Sequence, residues 1–257
     1  MNTSIIKTKH IGEGSEIGEF CVIGENVKIG KNCKIYNNVT LDGYTTIGDH
    51  TTIFPNATLG TPPQDLKYNG EKTELIIGKN NIIREFTMFN PGTGENGKTI
   101  IGDNNLFMAY VHIAHDCVIG NHCIFANCAT LGGHIHIDDN VNIGGLSAIH
   151  QFVHIGEGSM IAGASALSQD IPPYCLAEGN RAVIRGLNKY KLRKAFKSKE
   201  IDEISHAYRL LLSGNKPIRE IADEILCNTR LSIIKDICKF IKESKRGIPY
   251  KRGIINE

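Results

Sequence analysis

One apolar residue recurs at every sixth position over most of this chain. Counting from position 11 gives Ile11, Ile17, Ile23, Ile29, Ile35, Leu41, Ile47, Ile53 and Leu59. The beat returns at Ile77, Ile83 and Phe89, and then runs unbroken from Ile101 to Leu167. Every anchor is Ile, Leu or Phe. A period of six fits neither a helix, at 3.6, nor an alternating strand, at 2. It fits very short strands joined by corners, each strand giving one side chain to a central core, which is the pattern of a parallel β-helix. Three hexads make a triangular coil of 18 residues, so residues 18 apart should stack about 4.8 Å apart. Gly often follows the anchor, where a corner needs either positive φ or close packing.

The rhythm lapses at 61–76 and at 91–100, segments rich in Pro, Gly and polar residues. Both read as loops thrown out at a corner, where function concentrates. After Leu167 the repeat ends at Pro172-Pro173. Apolar spacing of three and four then predicts helices over 182–196, 199–212, 217–227 and 231–244, with Ser198 as an N-cap. The expected organisation is a β-helix over 1–172 and an α-helical domain over 173–257 that covers the open strand edges at its end.

Composition narrows the class. The chain has 257 residues, 41% hydrophobic and 22% charged, with a net charge of +2. That balance points to neither nucleic acid nor a membrane surface. No run is long enough for a membrane span, and the first residues do not read as a signal peptide, so a cytoplasmic protein is expected. Cys21, Cys33, Cys117 and Cys123 share one slot of the repeat and read as small apolar fillers; no CxxC occurs.

Candidate chemistry lies in the second half. Seven of the ten histidines are His112, His115, His122, His134, His136, His150 and His154. His115, Gly133 and Gln151 fall 18 apart, each two residues after its anchor. A histidine beside a glycine leaves open space and an accessible N–H. The histidine can serve as general base and the N–H can hold an oxyanion, a pairing that suits acyl transfer. Asp116, below His134 on the next coil, can orient an imidazole. His122, His136 and His154 read as ordinary exposed polar residues. Because they fall in different slots with no common metal-facing column, no metal centre is expected, although zinc held between subunits stays a rival.

His-Ile-Ala-His-Asp-Cys at 112–117, Ala-Asn-Cys-Ala-Thr-Leu-Gly-Gly-His at 126–134, Ile-Gly-Gly-Leu-Ser-Ala-Ile-His-Gln-Phe at 143–152 and Gln-Asp-Leu-Lys-Tyr at 64–68 closely resemble the UDP-N-acetylglucosamine acyltransferase family. Ser-Gln-Asp-Ile-Pro-Pro-Tyr at 168–174 and Glu-Gly-Asn-Arg-Ala at 178–182 extend the resemblance over essentially the whole chain. It implies a left-handed coil and a homotrimer with sites between subunits. The implied reaction is transfer of a 3-hydroxyacyl group from acyl carrier protein to the 3-position of UDP-N-acetylglucosamine, the first step of lipid A synthesis, with no cofactor. By motif, His115 resembles the general base and Gly133 the oxyanion donor. Asp65, Lys67, His112, His134 and Gln151 resemble sugar and phosphate contacts. His150 and Asn188 resemble contacts on the acyl-donor and nucleotide side. Met160 and Gly163 fall where the family sets acyl length, and the small Gly163 implies room for a longer chain.

The basic run Lys189, Lys191, Arg193, Lys194, Lys197 and Lys199 suits an acidic carrier protein. Two positions depart from the family. Arg193-Lys194 stands where Arg-Arg is usual, and Asn90-Pro91-Gly92-Thr93 stands where His-Arg-Gly-Thr is common. Asn90 raises the expectation of a 3-amino acceptor and an amide product. Rivals outside the family are a coenzyme A-dependent sugar N-acyltransferase, a zinc hydratase and a purely structural β-helix.

Overall fold

The computed structural model describes residues 3–250, so the end of the predicted helical domain, 251–257, lies outside the described residues. The anchors build a left-handed parallel β-helix with three faces. Its sheets contain nine, eight and ten strands, most of them two residues long. Stacking follows the 18-residue ruler: Ile113 pairs with Leu131, and Leu131 with Ile149. Anchor side chains from Ile23 to Leu167 are almost wholly buried, each stabilising the prism by about 1.5–3 kcal/mol relative to exposure. Phe89, Phe107 and Phe125 fill the middle of the core, with ring centroids 4.8–4.9 Å apart.

Two backbone devices turn the corners, and the sequence expectation merged them. The residue three after the anchor takes the left-handed conformation, as in Asn32, Asn56, Asn104, Asp116, His134 and Phe152. Glycine one after the anchor has ordinary φ and serves close packing instead, except at Gly60 (φ 81°), where the first loop leaves the coil. A Cβ on Gly48 would lie 2.5 Å from the Gly78 carbonyl, and one on Gly120 would lie 2.3 Å from an Asp139 oxygen. The cysteine slot is likewise more than filler. The Cys117 thiol donates to the Gly132 carbonyl at 3.2 Å, and that of Cys123 to Asp138 at 3.2 Å, tying successive coils. Burial pushes both thiols up to about 12, so they remain neutral.

The loops are shorter than predicted, because strands Glu74–Ile77 and Lys98–Ile101 reclaim their last residues. Leu59 pairs with Phe89 across 30 residues and Phe89 with Ile113 across 24, so the insertions add twelve and six residues to the coil. These multiples of six explain why the beat returns in phase.

Sheet pairing continues past the expected boundary at 172. Strand Cys175–Glu178 still pairs in parallel with Met160–Ile161, and Val183–Leu187 folds back antiparallel on it. The helix expected over 182–196 is therefore half strand: alternating Val183, Ile184 and Arg185 favour extended backbone once an edge is there to receive them. Helices begin later, with α1 (Lys189–Ala195), α2 (Ser198–Leu211), α3 (Ile218–Asn228) and α4 (Ser232–Glu243). Ser198 is the first residue of α2 and not its cap. Lys197 holds that place, and Glu200 accepts from its N–H at 2.9 Å. Fully buried Tyr208 of α2 donates to the Pro173 carbonyl, and buried Asp170 accepts from His154 N–H, Ser244 Oγ and Arg246 N–H. These bonds seat the helices on the last coils. Among the described residues no helix is long and apolar enough to cross a membrane.

Candidate active site

The site occupies the corner that follows the Ile113 and Leu131 strands. His112 and Ile113 form one two-residue strand, so the chain turns immediately afterwards. His115 and left-handed Asp116 form that turn. The His115 Nδ1 and Asp116 Oδ2 atoms lie 2.8 Å apart. A carboxylate acceptor places the ring proton on Nδ1 and leaves a lone pair on Nε2. Asp116 is in turn fixed by the second loop. Thr93 donates its hydroxyl at 2.6 Å and its N–H at 3.0 Å, while the Asp116 N–H donates to Thr99 at 2.9 Å.

Gly133 lies directly under this ring. A Cβ there would come within 2.5 Å of His115 Cε1 and 2.7 Å of Nε2, so only glycine permits the observed approach. Its N–H has no hydrogen-bond partner among the described residues. His134 meets the His115 ring edge-on at 5.1 Å, and its other side stacks on Phe152 at 4.7 Å. Asp116 therefore clamps His115, with His134 more distant at 3.7 Å. The first loop brings Asp65 to 3.9 Å from His115 Nε2, and Asp65 also accepts from the Lys67 N–H at 2.9 Å. The open space expected beside the glycine is not there, because Gly133 is buried against the ring and the His115 side chain is only 13% exposed. A base whose Nε2 has no hydrogen bond among the described residues, with a free N–H beside it and a polar loop above, can still abstract a proton and hold a developing oxyanion.

The other sequence candidates spread outward. His112 stands next to Met88 and Thr130 on its face, and burial holds its imidazole below the ordinary value. Exposed His150 and Gln151 follow the Ile149 anchor one coil on from Gly133, and His150 Nδ1 lies 3.2 Å from the Gln151 carbonyl. Met160 belongs to a different face, paired with Asn142 and Leu176. Gly163 sits at the following corner, where a Cβ would approach the Gly145 carbonyl to 3.3 Å. Asn188 caps α1 by accepting from Lys191 N–H, and its amide donates to the Gly158 carbonyl at 2.9 Å. Arg193 is exposed on α1, as are Lys189, Lys194, Lys197 and Lys199 nearby.

Asn90 is almost wholly buried. Its amide reaches the Thr61 and Pro62 carbonyls at 3.4 Å, pinning the base of the first loop, and its Oδ1 has no partner. Sequence reading missed Thr93, Thr99 and Phe152. Phe152 was within reach, since it lies 18 after His134; the Thr93 contact depends on a loop path that spacing does not encode.

Residues 170–249 match the family described as Udp N-acetylglucosamine O-acyltransferase, domain 2, and residues 8–43 and 98–133 match the bacterial transferase hexapeptide family. The chain is 61% identical over 200 residues to the acyl-[acyl-carrier-protein]–UDP-N-acetylglucosamine O-acyltransferase of Helicobacter pylori strain Shi470, covering 77% of this chain and 74% of that protein. It is 58% identical over 201 residues to the enzyme of the same description from Aliarcobacter butzleri, covering 77% of each. Among solved structures, UDP-N-acetylglucosamine acyltransferase from Campylobacter jejuni superposes with a TM-score of 0.86 at 46% identity, covering 98% of this chain and 99% of that one.

Proposed function

Because the chain belongs to the UDP-N-acetylglucosamine O-acyltransferase family, we propose that it transfers a 3-hydroxyacyl chain from acyl carrier protein to the 3-position of UDP-N-acetylglucosamine, the first step of lipid A synthesis. His115 Nε2 takes the proton of the 3-hydroxyl, and the oxygen attacks the thioester carbonyl carbon. The resulting oxyanion accepts from the Gly133 N–H. Collapse breaks the C–S bond, and His115 returns the proton to the departing thiolate. Asp116 holds the tautomer and steadies the imidazolium between the two transfers. The observation that carries this reading is His115 clamped at Nδ1 by Asp116 while crowded against Gly133. Asp65, Lys67, His112, His134 and Gln151 hold the sugar nucleotide. His150, Asn188 and the Met160–Gly163 corner receive the acyl donor and its chain.

The enzyme works in the cytoplasm as a homotrimer. In support, exposed Phe86 and Tyr110 stack at 4.9 Å on one corner, Phe20 and Leu146 are exposed on other layers of that corner, and Leu66 projects fully from the first loop. Exposed aromatic pairs of this kind are common at protein interfaces. The exposed cations around α1 steer the acidic carrier protein.

A second reading concerns the acceptor. Asn90, at the base of the first loop where the family commonly has His, favours a 3-amino sugar nucleotide. An amine is the better nucleophile and needs less help from the base. One experiment tests both readings: transfer from an acyl-carrier-protein thioester to each UDP-sugar, with wild type beside His115→Ala. A turnover loss of about 10²-fold or more in the variant is expected, with the trimer intact. Full activity in His115→Ala overturns the base assignment, and strong preference for the hydroxyl sugar overturns the amine reading.

A further inference from the structure

A second histidine cluster lies on a different face of the prism, away from the His115 corner. His136 and His154 are 18 residues apart in the same slot, just before their anchors, and are register partners in the second sheet. They therefore do form a column, which the sequence reading overlooked. Their rings stand 4.5 Å apart at 76°. Both Nε2 atoms converge on one oxygen of Asp138, His136 at 3.1 Å and His154 at 2.9 Å.

We propose that His136, Asp138 and His154 form a binding site for a borderline divalent transition ion, with zinc as its representative. Ligand atoms of all three lie within 4.8 Å of one another. A tetrahedral shell with bonds of roughly 2.0–2.1 Å has edges of roughly 3.3–3.4 Å, so small rotations of three side chains enclose an ion. Two imidazoles and one carboxylate select zinc, nickel or copper over magnesium or calcium, which prefer oxygen.

Three further observations favour this cluster. The backbone already sets the histidines one coil apart, so little chain entropy opposes binding. The Phe240 ring from α4 packs on His154 at 4.4 Å and holds its orientation. A shallow cavity of about 330 Å³ opens over His136 and Asp138, and the carboxylates of Asp139 and Glu157 line it, giving the negative field a cation needs.

The histidine pair at the catalytic corner is the competing site, because His115, Asp116 and His134 satisfy the same distance criterion. Their carboxylate, however, already accepts from both donors of Thr93 as well as from His115. The Asp138 carboxylate accepts from the two imidazoles alone among the described residues. An ion at Asp138 replaces only those two contacts, whereas one at Asp116 dismantles the corner.

The test is zinc binding to the full chain after chelator treatment, measured by competition with a chromophoric chelator, together with the thermal midpoint with and without zinc. Wild type should take up one zinc per chain and melt higher with zinc present. His136→Gln and Asp138→Asn should each weaken binding by at least tenfold and lose the zinc-dependent shift, while transferase activity without zinc stays at the wild-type level. His134→Gln should keep the uptake. His136 is half exposed and points outward, so its glutamine variant should fold even if Asp138→Asn does not. No uptake by wild type, unchanged uptake in His136→Gln, or uptake abolished by His134→Gln alone would each overturn the proposal.

Discussion

Replacing Gly133 by alanine separates two roles that a glycine at the base could play. The φ of Gly133 lies outside the left-handed region, so its backbone accepts alanine, and the N–H is retained. What changes is space. The new Cβ would lie 2.5 Å from His115 Cε1, where ordinary contact begins at 3.4 Å, so the ring must retreat by about 0.9 Å. That movement is incompatible with the 2.8 Å Nδ1–Asp116 contact unless Asp116 also leaves Thr93. A misplacement of about 1 Å in a reacting group costs about 10²-fold in rate, or about 2.7 kcal/mol in the barrier. Initial rates of acyl transfer should show turnover down about 10²-fold with the carrier-protein KM within about threefold, because the basic surface on α1 proposed to receive the donor is untouched. The thermal midpoint should move by no more than a few degrees, since the new Cβ meets a side chain that can turn away, not backbone as at Gly48. Turnover within about threefold of wild type would refute the claim that the close approach of Gly133 sets the ring position.

Three further outcomes follow from the same structure. Thr93→Val removes the 2.6 Å hydroxyl contact to Asp116 but keeps the N–H; a hydrogen bond to a charged group is worth about 1.5–3 kcal/mol, so turnover should fall about tenfold or more, and Thr93→Ser should restore most of it. Gly48→Ala drives a Cβ to 2.5 Å from the Gly78 backbone, an overpacking that costs about 1–3 kcal/mol, and the thermal midpoint should drop with little change in the residual rate at low temperature; an unchanged midpoint contradicts the packing role. Burial holds the His112 imidazole below its ordinary value of about 6.5. Above that pH both folded and unfolded forms are neutral and the group contributes nothing, whereas below it the unfolded chain binds the proton more readily and stability falls. His112→Gln should therefore reduce the loss of thermal midpoint between pH 7.5 and 5.5, and an identical loss in the variant would show that other groups cause it.

Most of the prism was legible because its core is one-dimensional. Each anchor has a single task, and a coil of fixed length converts sequence separation into spatial neighbourhood, as with His115 over Gly133. The same arithmetic would have found Phe152 over His134 and the His136–His154 pair, had every slot been followed and not only the one behind the anchor. The reading failed where separation stops predicting contact. Thr93 meets Asp116 because a loop folds back over the corner, and no period encodes that path. It failed again at Val183–Leu187, where the open edge left by Cys175–Glu178 recruits residues whose apolar spacing also suits a helix. Tertiary pairing outweighed local preference there. The glycine slot was misread in part because φ and proximity both favour glycine, and only the backbone separates them.

Stacking by hydrogen-bonded coils also makes distances along a corner discrete. Asp116, His134 and Phe152 occupy equivalent positions on successive layers, about 4.8 Å apart by the spacing of paired strands. A group on this lattice can be moved by one layer or left in place; the backbone offers nothing between. Fine adjustment of the site therefore falls to parts that escape the lattice, namely side-chain rotation and the two loops that supply Asp65 and Thr93. Diversification of acceptor or acyl specificity should accordingly concentrate in those loops and in side-chain size, while the layered backbone beneath stays the same.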